Sequence, residues 1–384
     1  MKRILAYAFA LCVAASGAVL LQAATVPGSW KVVPGITANQ SPFVVGQDIA
    51  VVSANDIWQV GFAITGHWNG TVWTAVAPAG NYVALSGVAA VATNDVWAVG
   101  SAPYPTDEFY NAVAEHWDGS AWSIVPVPNG STNANGHTSS QLVSAAAISP
   151  NNVWAVGYTS TSVNTSSFQG TLIEHWDGSN WTIVPSPNPR NSYQNTLTGI
   201  AVIAANDIWA VGYTLTTNNQ TLTMHWNGSK WSIVPSPNGP YGNWLFGATA
   251  LASNNVWAVG ASNNQGNTLI LHWNGSSWSA VPSPNAQCQY YSCTYNSLAS
   301  ISAVSASDIW AVGTSIYTYY TGEGDANNTY YALFEHWDGN AWSIIPGAAT
   351  NGPSALGILY GVAAISSGDV WAVGLNLTEQ YTIP

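Results

Sequence analysis

Six of the seven histidines stand immediately before a tryptophan: His67, His116, His175, His225, His272 and His336. Imidazoles recurring so regularly are the first candidates for metal binding or acid–base work. Their distribution argues against both. Each belongs to a different copy of a repeat and lies far from any shared axis, so the six cannot converge on one ion. They read as structural hydrogen-bonding residues. A second periodic set, Asp56, Asp95, Asp207, Asp308 and Asp369, falls in turns and is replaced by Asn152 and Asn255 in two copies. A catalytic carboxylate does not usually tolerate that exchange. His137 lies outside the repeat and has no evident partner. No G-x-S-x-G elbow, HExxH or phosphate-binding loop occurs, and neither metal nor cofactor is expected. The acids left for chemistry are Asp107, Glu108, Glu323 and Asp325, which could serve a polysaccharide-acting hydrolase or lyase.

The elements that position these groups are written twice over in the repeat. One phrase, NDVWAVG, occurs in seven variants around Trp58, Trp97, Trp154, Trp209, Trp257, Trp310 and Trp371. The other, EHWDGSNWTIVPSPN, occurs in six variants whose HW tryptophans are Trp68, Trp117, Trp176, Trp226, Trp273 and Trp337. Its missing half sits at the other end of the chain, as PGSWKVVPG from Pro27 to Gly35.

Strands follow from these phrases. A run such as LSGVAAVA is strand A, VWAVG is strand B, the segment ending in HW is strand C, and WSIVP is strand D. The Asp-Gly or Asn-Gly between C and D predicts a two-residue hairpin with positive φ at both residues. Each repeat is then a four-stranded antiparallel meander of about 50 residues, the size of a propeller blade. The expected fold is all-β, a seven-bladed β-propeller. Strand A, rich in small residues, lines the channel. Strand D is the outer edge, guarded by Pro-x-Pro pairs. The N-terminal GSWKVVP supplies strand D of the last blade, whose strand C is LTEQYTIP.

Composition bounds the setting. The chain has 384 residues, 21 Trp, 35 Gly and only 6% charged residues. Lys2, Arg3 and the apolar run from Ile4 to Leu21 predict a signal peptide over residues 1–23, with the propeller over 24–384; an uncleaved anchor is the alternative reading. Beyond residue 23 only Lys31, Arg190 and Lys230 are basic against 17 acids, so the charge is 3 − 17 = −14. Three scattered cations cannot neutralise a phosphate backbone, which excludes nucleic acid and disfavours anionic membranes. Cys288 and Cys293 predict a short-loop disulfide in an exported protein. A secreted or cell-surface monomer is expected.

Length variation points to a binding face. Between the strand-B glycine and the strand-C histidine lie 5, 15, 17, 12, 11 and 22 residues in blades 1 to 6, whereas the C–D turn never varies. Antiparallel geometry sends all B–C and D–A connections to one face of the disc, where binding residues belong. The candidates are Tyr104, Tyr110, Tyr241, Trp244, Tyr290, Tyr291, Tyr319, Tyr320, Glu323 and Asp325. Rigid aromatics among Asn, Gln and Ser suit a glycan or an extracellular protein partner. A surface or matrix protein with no ligand is a further reading.

The NDVWAVG…HWDGSxWSxVPSP repeats resemble those of secreted bacterial β-propeller proteins, and more distantly kelch-like and tectonin-like propellers. They depart from WD repeats, which carry a Gly-His pair upstream of Trp-Asp, and lack the Asp-box of sialidases. The resemblance implies export and recognition, with no defined activity.

Overall fold

A computed structural model describes residues 28–36, 46–80, 83–103, 110–129, 137–163, 166–262, 266–286, 295–320, 326–348, 357–375 and 377–383. They form seven four-stranded antiparallel sheets, each a meander in the order A-B-C-D except for the composite seventh. In blade 1 the strands are Gly46–Ser53, Asp56–Gly61, Ile64–Trp68 and Trp73–Val76. Each inner strand touches those of the blades before and after it, and the last touches the first. The ring closes as the repeat count demands. Leu359–Ser366, Asp369–Gly374 and Leu377–Thr382 are strands A, B and C of blade 7, and Ser29–Val32 pairs with strand C as its strand D, Trp30 opposite Tyr381.

The Trp-rich phrases recur because every gap between blades is filled alike. The strand-B tryptophan of one blade meets the strand-D tryptophan of the next edge-on: Trp58 with Trp122, Trp97 with Trp181, Trp154 with Trp231, Trp209 with Trp278, Trp257 with Trp342, Trp310 with Trp30 and Trp371 with Trp73, at 5.2–5.9 Å between ring centres. The circle is complete across the seam. Burying one indole removes up to about 250 Å² from water, roughly 6 kcal/mol before entropy is charged. The HW tryptophans tie each C–D loop to the A–B turn of their own blade: the indole N–H of Trp117 donates to Thr93 O at 3.1 Å, and that of Trp226 to Ala205 O at 3.1 Å.

The C–D connection differs from the expected two-residue hairpin. Trp117 pairs with Trp122, so four residues, Asp118–Ala121, form the loop. Gly119 alone takes positive φ, at 96°, and its counterparts do the same. Asp118 keeps ordinary φ because its carboxylate accepts from the Ser120 hydroxyl and from the Ser120 and Ala121 N–H groups at 2.6–3.0 Å. Those bonds, the hydroxyl's first, pull the carboxyl down to about 2.

The Pro-x-Pro pairs likewise lie just beyond strand D, which ends at Ile183 or Ile233, and the Ser and Asn beside them have a task of their own. Asn188, Asn238 and Asn285 accept from the N–H groups of Thr171, Thr221 and Thr268 on strand C at 2.7–2.9 Å. Ser186, Ser236 and Ser283 bond the hydroxyls of the same three threonines at 2.7–2.8 Å. The phrase PSPN is thus a clamp on its own blade as well as an edge guard.

Every inner strand carries a register shift at one equivalent place, between Leu85 and Gly87 in blade 2 and between Leu197 and Gly199 in blade 4. The glycine ending VWAVG faces this bulge. A methyl group on Gly212 would run into the carbonyl of Thr196, and the glycines of blades 2, 3, 5, 6 and 7 meet the same obstacle. Gly212→Ala is therefore expected to cost about 2–3 kcal/mol by overpacking. Gly170→Ala, whose nearest new neighbour would be the Thr159 hydroxyl at 3.3 Å, should cost under about 1 kcal/mol. Denaturant midpoints compare the two; equal shifts would mean that the bulge yields freely.

Candidate functional site

The two faces of the disc differ in chemistry as well as in regularity. Six large aromatic side chains are strongly exposed among the described residues: Phe62, Tyr110, Phe168, Tyr193, Tyr241 and Tyr331. All six lie on B–C or D–A segments and so on the irregular face. The exposed large aliphatics lie elsewhere: Val32, Ile124, Ile183 and Ile233 on outer strands, Val72 in a C–D loop and Ile383 at the end of blade 7.

Two of the irregular segments are built as strand rather than loop. In blade 6 the B and C strands run Asp308–Tyr320 and Ala326–Trp337, paired as far as Tyr320 with Ala326. In blade 3 they run Asn152–Val163 and Ser166–Trp176. Alternating β-branched and aromatic residues such as Ile316, Tyr317, Thr329 and Tyr330 favour extended pairing, so these hairpins stand as ribbons above the disc.

The channel opens on the same face. A cavity of about 620 Å³ is lined by the upper ends of all seven inner strands together with Thr314, Ile316 and Tyr330 of blade 6. Its wall includes the bulge residue of every blade: Gln47, Ser86, Val143, Thr198, Phe246, Ala299 and Tyr360. No two are alike, although the repeats around them are nearly uniform. The next position is small in six blades (Gly87, Ser144, Gly199, Gly247, Ser300, Gly361), because neighbouring backbones come together there. A Cβ on Gly199 would stand 3.0 Å from Phe246 O. Blade 1 alone has Asp48.

Asp48 is the one charged residue in the wall among the described residues. Its carboxylate accepts from Ile49 N–H at 2.9 Å and from Val88 N–H of blade 2 at 3.0 Å. It keeps part of its surface open to the channel, although the ring encloses it. That enclosure outweighs the two backbone donors and raises its carboxyl to about 6. Ser300 makes the equivalent bond in blade 6, accepting from Val362 N–H of blade 7 at 3.3 Å. A hydroxyl is therefore sufficient for the clip between blades.

The periodic histidines are structural, as expected. Each Nε2 lies 2.8–2.9 Å from the Asp or Asn of the A–B turn, as in His116 with Asp95 and His175 with Asn152. Each ring also lies against its strand-B tryptophan, Trp97 against His116 at 4.5 Å for instance. Burial lowers the pKa of His175 and His272. Gln380 takes the histidine's place in blade 7, donating to Asp369 at 2.8 Å. No cluster of three or more possible metal ligands occurs among the described residues.

Of the predicted binding residues, Tyr110 and Tyr241 are exposed on the irregular face, and Trp244 is half-buried on the inner strand of blade 5. Tyr319 and Tyr320 end strand B of blade 6. Tyr104, Asp107, Glu108, Tyr290, Tyr291, Glu323, Asp325, Cys288, Cys293 and residues 1–23 lie outside the described residues. The channel wall was not foreseen residue by residue. Its signal was present in the aligned inner strands, whose bulge column holds a different residue in every blade.

No family model matches the chain, and no curated protein matches it. Solved structures match in fold. YCF48 from Cyanidioschyzon merolae is 13% identical with a TM-score of 0.55, covering 92% of this chain and 98% of its own. U3-55K is 7% identical with a TM-score of 0.57, again covering 92% and 98%. A GH74 xyloglucanase from Xanthomonas campestris is 12% identical with a TM-score of 0.55, covering 91% of this chain and 52% of its own. At such identities the likeness is one of fold alone.

Proposed function

We propose that this protein is an exported recognition module that binds a glycan on its irregular face. The observation that carries the reading is the segregation of exposed aromatics: all six strongly exposed rings described lie on the one face where connection lengths vary. Rigid rings offer contact area at low entropic cost, and Asn, Gln and Ser around them supply adaptable hydrogen bonds. A chain of net charge −12 favours neutral saccharides over anionic ones. Fold does not decide between roles: one similar structure is YCF48 bound to a D1 peptide and another is a xyloglucanase. The surface chemistry supports binding.

Tyr241→Ala combined with Tyr331→Ala is expected to weaken binding to a neutral-glycan array by at least about tenfold, the loss of two stacked rings. Val72→Asp, on the opposite face, should leave it unchanged. Blank neutral spots beside retained capture of an extracellular protein would replace the glycan with a protein ligand. Equal binding by both variants would remove the irregular face from the reading.

A further inference from the structure

The channel mouth holds a second, chemically different site. Among the described residues a lone carboxylate stands in an otherwise uncharged wall, at a position where six other blades carry Gly or Ser. The ring does not require it there, because Ser300 makes the same inter-blade bond with a hydroxyl. Both Asp48 oxygens accept a backbone N–H, and each keeps a further lone pair for a donor in the cavity. Aromatic surface stands close by. Tyr360 precedes Gly361, on which a Cβ would lie 3.1 Å from the Asp48 Cα. Tyr330 and Phe246 complete the aromatic part of the wall, and Ile49, Val88 and Val362 make it apolar. The volume, about 620 Å³, lies in the range of small-molecule sites.

We propose that the channel mouth binds an organic ammonium group, held by the Asp48 carboxylate with its apolar body against Tyr360 and Tyr330. The three features answer to the three parts of such a ligand. The carboxylate meets the N–H donors in a charge-assisted bond. The ring faces attract a cation. The aliphatic wall takes the hydrocarbon. An anion would be repelled by the carboxylate, and a neutral ligand would leave its charge without a counter-ion. The net charge of −12 draws cations toward the disc at long range. The ammonium belongs either to a free amine or to a lysine presented by a peptide.

Titration calorimetry of the whole protein with 2-phenylethylammonium and with 2-phenylethanol tests the site without mutation. The amine is expected to bind at least about tenfold more tightly than the alcohol. Asp48→Asn and Asp48→Ser, the second reproducing the Ser300 clip, should lose that preference while keeping the thermal transition. A peptide Ac-Gly-Lys-Gly-NH2 and its N-acetyl-lysine counterpart distinguish the sources. Binding of the lysine peptide points to a presented side chain; binding of the amine alone points to a small molecule. Alcohol and amine binding equally, or an unchanged preference in Asp48→Asn, would overturn the proposal.

Discussion

Glu174→Met is expected to stabilise the protein at neutral pH, by about 3 kcal/mol at pH 7, and by less as the pH falls toward 4. The residue lies on strand C of blade 3, two positions before the HW tryptophan, fully buried, and neither carboxyl oxygen has a partner among the described residues. Across the seven blades that position reads Gly66, Glu115, Glu174, Met224, Leu271, Glu335 and Glu379. Where the preceding blade supplies donors, a glutamate is at home. Glu115 accepts from Ala79 and Gly80 N–H, both at 2.9 Å, and Glu379 from Ala348 N–H at 3.0 Å. Ala79 and Ala348 stand six residues after their strand-D tryptophans. The same count from Trp122 and Trp278 reaches Pro128 and Pro284, which have no N–H. The second proline of the Pro-x-Pro pair therefore removes the donor that its neighbour's glutamate needs, and Met224 and Leu271 are the consistent solution.

The pH dependence has a definite sign. Burial raises the Glu174 carboxyl to about 8 and the Glu335 carboxyl well above its ordinary value. A carboxyl raised in the folded state leaves stability intact below its unfolded value, near 4.5. Stability is then lost as the pH climbs toward the folded value. Urea titrations at pH 5 and pH 8 should show a slope in the parent that Glu174→Met reduces. Glu174→Gln should flatten the slope but keep an unsatisfied amide. Glu115→Met should do the reverse and destabilise, since it strands two N–H groups. A parent slope unchanged by Glu174→Met would show that the carboxyl finds a donor in solution.

What was legible in the sequence was whatever repeats. Trp97, Trp117, Trp154, Trp176, Trp209, Trp226, Trp257, Trp273, Trp310 and Trp337 mark strands B and C, and the seven-against-six mismatch foretold a composite last blade. Periodic residues announce themselves because each blade solves the same packing problem. The C–D loop was misjudged because Asp-Gly satisfies both a two-residue turn and a four-residue loop. Only the ladder partner, Trp122, separates them. The clamp role of Asn188 depends on a hydrogen bond to Thr171, 17 residues away, which no local pattern reveals. The channel wall was hidden for the opposite reason: its residues are the ones that do not repeat. Gln47, Phe246 and Tyr360 look like noise inside a regular strand until the ring gathers them around one cavity.

Blade 7 also predicts where the molecule is most easily opened. Trp30→Ala is expected to cost about 3–5 kcal/mol, the loss for a buried aromatic in a close-packed core. Removal of residues 1–36 should abolish cooperative unfolding of the ring. Trp30 is 4% exposed and touches three rings at once: Phe334 at 4.2 Å, Tyr381 at 5.6 Å and Trp310 at 5.7 Å. Four ladder pairs hold its strand to Leu377–Thr382. The same segment reaches one blade further. Blade 1 has Gly66 where other blades have Glu, Met or Leu, and the Ile36 side chain occupies that space; a methyl group on Gly66 would collide with it. Gln59 flanks the pair in place of the usual alanine, with its Cγ 3.1 Å from the same point. One segment, residues 29–36, thus completes blade 7 and fills blade 1, so its loss opens both sides of the seam. Cleavage after Ala23, the expected end of the signal segment, spares it; cleavage after Ile36 does not. Calorimetry of the two truncated forms decides the matter: a single sharp transition in both would mean that the ring is held shut without its N-terminal strand.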